Sequence, residues 1–76
     1  MAKIRHIHMI YSTILDILKK KGAVNDTELY EALKERFEDI GISELNSILM
    51  SMEIRGLIMV SALTRGKRRV ELANPS

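Results

Sequence analysis

The chain has 76 residues, is 46% hydrophobic and 29% charged, and carries a net charge of +2 with no cysteine. That composition is one globular domain rather than a disordered chain, and it excludes disulfides and thiolate metal sites. The charge is uneven: residues 1–25 sum to +4, residues 26–52 to −5 and residues 53–76 to +3, so a polyanion-facing side and an acidic side are expected.

Lys3 and Arg5 precede the apolar stretch "IHMIYSTILDIL", an arrangement that mimics a secretory leader. Asp16 interrupts the stretch, Lys19, Lys20 and Lys21 follow it, and no small-residue cleavage site appears. It is also too short and too polar to span a bilayer, so a cytoplasmic protein without membrane contact is expected. Cysteine, tryptophan and glutamine are all absent while charges are plentiful, a balance found in thermophilic proteins.

The first helix is predicted over residues 3–21. Ile4, Ile7, Tyr11, Ile14 and Leu18 recur at three- and four-residue steps. Gly22 stands where a left-handed cap belongs, behind three lysines that complement a helix C-terminus. Ile10 and Ile17 widen the apolar stripe beyond what one small core needs. His6 and His8 are two positions apart and face different sides, whereas a helical metal pair needs a spacing of four. No metal site and no cofactor are expected.

Ala23 and Val24 suit a very short strand. Asn25 then caps a second helix over residues 25–39, with Glu28 as its capping-box partner. Leu29, Leu33, Phe37 and Ile40 form its buried stripe. Glu28, Glu31, Glu35 and Glu38 point outward, and Gly41 ends it. The third helix is predicted over residues 43–55, with Ser43 as N-cap and Gly56 as the C-terminal cap. Leu45, Ile48, Leu49 and Met52 share one face. Ser43, Ser47, Met50 and Ile54 lie on the opposite face, with Asn46 and Ser51 at its edges. Residues 57–72 then read as a β-hairpin: "LIMVSAL" is rich in β-formers, "TRGK" is the tip, and Val70 and Leu72 alternate with Arg69 and Glu71. Residues 73–76 are a tail.

Three helices followed by a two-stranded hairpin is the order of a winged helix-turn-helix domain, an α+β fold that is mainly α. The stretch "SELNSILMSMEIRGLIMV" resembles that family's recognition helix and the start of its wing, with Leu49, Met52 and Glu53 ahead of Gly56, Leu57 and Ile58. The resemblance covers nearly the whole chain and is closest to the small stand-alone prokaryotic or archaeal type. It implies one core, built from Ile14, Leu18, Leu29, Leu33, Phe37, Leu45, Leu49, Met52, Leu57, Val70 and Leu72. It also makes the hairpin a wing, which in the family commonly lies along the DNA backbone or in the minor groove.

The wing carries Arg65, Lys67, Arg68 and Arg69 around Gly66. Four phosphate contacts would cost roughly a hundredfold in affinity between about 50 and 200 mM salt. The plainer account of such a run is a solvated charge cluster. On the third helix, Asn46 is placed to address adenine, Ser43, Ser47 and Ser51 to bond bases or phosphates, and Met50 to touch a thymine methyl. The competing account makes Met50 and Ile54 an apolar strip for a protein partner. No catalytic apparatus is visible, so no enzyme is expected.

Two functions follow. The first is a DNA-binding protein, a small transcriptional regulator gripping duplex DNA with its wing and third helix. The alternative is a winged-helix docking module, a subunit of a larger assembly that uses the Met50/Ile54 face or the acidic second helix. A homodimer is also expected, held by Ile4, Ile7, Ile10, Ile14 and Ile17 of the first helix, because a chain this short gains from added burial.

Overall fold

Gly22 takes φ 85° and closes the first helix, its N–H donating to the Leu18 carbonyl at 2.8 Å. The chain is described from a computed structural model over residues 7–62 and 66–73. In order, the elements are α1 (Ile7–Lys21), β1 (Ala23–Asn25), α2 (Asp26–Arg36), α3 (Ile42–Ile54), β2 (Ile58–Ala62) and β3 (Arg68–Leu72). Residues 3–6 of the expected first helix, and the tip residues 63–65, lie outside the described residues. The architecture is mainly helical with an antiparallel sheet, as a winged helix requires.

Asn25 caps α2 as its sequence implies. The Glu28 N–H donates to the Asn25 side-chain oxygen at 2.8 Å, and the Asn25 N–H donates to the Glu28 carboxylate at 3.4 Å. The helix ends three residues earlier than expected, at Arg36, with Phe37 as C-cap. Ile40, beyond that end, is nevertheless 3% exposed. A turn closed by the Ile40 N–H on the Phe37 carbonyl, and a Tyr30 hydroxyl on the Ile40 carbonyl, carry that side chain back into the core.

α3 begins one residue earlier than expected. Its N-cap is Gly41, without a side-chain bond; Ser43 sits inside the first turn and is not the cap. Its end is as the glycine predicts: Gly56 has φ 79°, its N–H donates to Glu53, and the Leu57 N–H reaches back to Met52. That pair of bonds is the Schellman arrangement, which satisfies carbonyls that a helix end leaves open.

The wing is more than a hairpin. β3 lies between β1 and β2, in the order β1-β3-β2, with both pairings antiparallel. Val70 faces Val24 on one side and Val60 on the other. This places Val70 at the centre of the sheet, where it is fully buried. α1 packs on β3 and on α2, and α3 packs on β2.

The core contains most of the expected side chains, but Phe37, Leu57 and Leu72 are only partly buried against it. Ile10, Val24, Ile40, Ile48 and Ile58 are buried as well. Each fully buried aliphatic side chain contributes roughly 1.5–3 kcal/mol. Among the described residues, no helix is long and apolar enough to cross a membrane.

Candidate nucleic-acid interface

The outward face of α3 follows from its inward one. With Leu45, Ile48, Leu49 and Met52 buried, a period of about 3.6 residues turns the opposite arc to solvent. That arc holds Ile42, Ser43, Asn46, Ser47, Met50, Glu53 and Ile54, all exposed. Asn46 therefore lies within the face rather than at its edge. Three of its members are apolar, with Ile42 55%, Met50 61% and Ile54 79% exposed.

Ser51 is not part of this face. It is half-buried, and its hydroxyl is 2.8 Å from the Tyr11 hydroxyl of α1. That bond ties α1 to α3 and takes up part of the hydroxyl's bonding capacity. Arg55, just beyond the helix, stands over the Tyr11 ring at 5.9 Å from its centroid. The sequence places Tyr11 in the apolar stripe of the first helix and does not point to its contact with Ser51 and Arg55, because nothing local shows that α1 and the end of α3 meet.

The wing cations differ from one another. Arg65 lies outside the described residues. Lys67 is exposed and has no partner among the described residues. Arg69 is exposed and pairs with Glu71 at 3.3 Å. Arg68 is held at three of its donors: its Nε donates to Asp26 Oδ2 at 3.2 Å, its backbone N–H to Asp26 Oδ1 at 3.4 Å, and its Nη2 to Asn46 Oδ1. Of the four wing cations expected to meet phosphate, three are described. Two of the three described ones are already neutralised by a neighbouring carboxylate.

Arg68, Asp26 and Asn46 come from β3, α2 and α3 respectively. The site therefore joins the wing to both helices of the helix-turn-helix unit. Asp26 is the residue that sequence reasoning misses. Placed after the Asn25 cap, it reads as a carboxylate favouring the positive end of α2, and its second role appears only when β3 is folded beside it.

The isoleucines expected at a dimer interface separate in the same way. Ile10 and Ile14 are 3% and 0% exposed and belong to the chain's own core. They are unavailable to a second copy in the folded protein. Ile7 and Ile17 are partly buried against that core, and Ile4 lies outside the described residues. The large exposed apolar side chain of α1 is Met9, at 58%.

The sequence model of the ferric uptake regulator family (FUR) matches residues 6–76. No curated protein and no solved structure gives a match. The chain holds no cysteine, and among the described residues no three His, Asp or Glu side chains converge. His8 stands edge-on to the Tyr11 ring, with centroids 6.3 Å apart.

Proposed function

The chain belongs to the ferric uptake regulator family and has its winged helix DNA-binding domain; we propose that it is a small transcriptional regulator that docks the exposed face of α3 in the major groove of duplex DNA and lays the wing on the backbone. The observation that carries this reading is the junction of Asn46 on that face with Arg68 of the wing. It fixes the two elements to each other, as a reader that uses both must. Ser43, Asn46, Ser47 and Met50 are the groove-facing candidates. Lys67, Arg69 and Arg65 are the backbone candidates, with Arg68 acting from its fixed position. A two-fold homodimer is part of the proposal, since it would set two such faces about one helical turn apart.

The test is electrophoretic mobility of a random-sequence duplex with this chain at low and at high salt. Retardation that weakens as salt rises is the expected result, because phosphate contacts release counterions. No retardation at low salt would favour docking to a protein instead. One observation favours that second reading: Met50 and Ile54 are one turn apart and largely exposed, and Glu28, Glu31, Glu35 and Glu38 line an exposed acidic face.

A further inference from the structure

Arginine carries donors and no acceptor. The amide atom of Asn46 that meets Arg68 Nη2 is therefore its oxygen, Oδ1. No other assignment of that amide makes a hydrogen bond there. The group of Asn46 left without a partner among the described residues is Nδ2, a donor. Arg68 is itself held in place: Asp26 accepts from both its backbone N–H and its Nε, and its side chain is 37% exposed against 21% for Asp26. The remaining terminal nitrogen, Nη1, has no acceptor among the described residues. Arg68 and Asn46 thus present donors side by side.

Reading adenine with an asparagine takes one donor, for N7, and one acceptor, for the N6 amino group. Here one of the two lone pairs of that acceptor is taken by a cation, whose own donors would face the N6 amino group of adenine. Guanine is the base whose major-groove edge offers two adjacent acceptors, N7 and O6. We propose that Arg68 and Asn46 act as one reading unit that presents two adjacent donors, positioned by Asp26, and selects guanine over adenine in the major groove. The proposal rests on the DNA-binding reading given above, and it replaces the adenine assignment that an isolated asparagine invites. Lysine cannot stand in for Arg68, because one ammonium does not bridge two acceptors in a fixed plane as a guanidinium fork does.

The experiment begins with selection of bound duplexes from a random pool by the whole chain. Each guanine of the selected duplex is then replaced singly by 7-deazaguanine, which lacks the N7 acceptor, and affinities are measured by fluorescence anisotropy. In the unaltered chain, one such replacement weakens binding about tenfold. In Asn46→Ala and in Arg68→Lys, the ratio of unmodified to 7-deaza affinity at that position falls to near unity. The ratio is taken within each variant, so a change in general affinity does not disguise the result. Asn46 is exposed, so its alanine variant tests the unit without disturbing the core, and circular dichroism checks both folds. Selection of adenine at the position whose reading Asn46→Ala abolishes would overturn the proposal. So would tight binding to every duplex with no sensitivity to 7-deazaguanine, which leaves the DNA-binding reading standing. Failure to bind any duplex at low salt would overturn both.

Discussion

Arg68 shows how one residue changes meaning between sequence and structure. In the run around Gly66 it is one cation among four. In the fold it is bonded to Asp26 and Asn46 and joins three elements. An exposed ion pair contributes about 0–1 kcal/mol, so the value of this contact lies in orientation more than in stability. Gly56 is the opposite case, a residue whose role is legible directly. It holds φ 79°, and a Cβ built there meets no atom within 4 Å. Gly56→Ala therefore tests backbone strain without a clash. The left-handed conformation costs an L-residue about 1–2 kcal/mol, so the midpoint of thermal unfolding should fall by roughly 4–8 °C per kcal/mol lost. An unchanged midpoint by circular dichroism would mean the turn relaxes to a conformation that alanine accepts.

At the scale of elements, the wing is a strand-centred sheet rather than a charged tip on a hairpin. β3 is paired on both edges, which holds its side chains in a fixed alternation: Arg69 exposed, Val70 buried, Glu71 half-buried. Its cations should therefore contribute unequally to DNA affinity. Lys67 is exposed and unengaged among the described residues, whereas Arg68 is committed to Asp26 and Asn46. Each phosphate contact adds about 0.9 to the slope of log affinity against log salt. Lys67→Ala should lower that slope by about one unit, and Arg68→Ala should lower it less. Titration at several salt concentrations measures both. A larger change for Arg68→Ala would mean its pairing with Asp26 opens on binding.

For the whole molecule, the question is what the apolar surface of α1 is for. The four isoleucines of α1 exceed a narrow stripe, but Ile10 and Ile14 lie in the core and Ile7 and Ile17 lean on it. Ile10→Glu consequently strikes the fold itself. Burying a carboxylate without a partner is costly enough that chains of this size unfold rather than bear it. The expected result is loss of helical circular dichroism at any protein concentration. A helical variant that merely dissociates in sedimentation equilibrium would instead place Ile10 at a subunit interface. Dimer formation, if carried by α1, has Met9 and the outer edges of Ile7 and Ile17 to draw on.

The sequence by itself determined the order of the elements, the capping box at Asn25 and Glu28, the glycine ends of α1 and α3, and the buried stripe of α3. Each rests on local physics: a hydrogen bond spanning three residues, a backbone angle open to glycine, or an apolar period that water enforces. Tertiary structure alone decided the rest. The short strand that Ala23 and Val24 suggest locally was given its partner, β3, only by the fold. α2 stopped at Arg36, and a turn closed on the Phe37 carbonyl carries Ile40 into the core instead. Ser51 left the outward face because Tyr11 of α1 lies within hydrogen-bond reach. Asp26, Asn46 and Arg68 became one site although 20 residues separate the first two and 22 the last two. Partners this distant leave no periodic mark in a single chain, since what selects them is a contact that exists only after the core has brought their elements together.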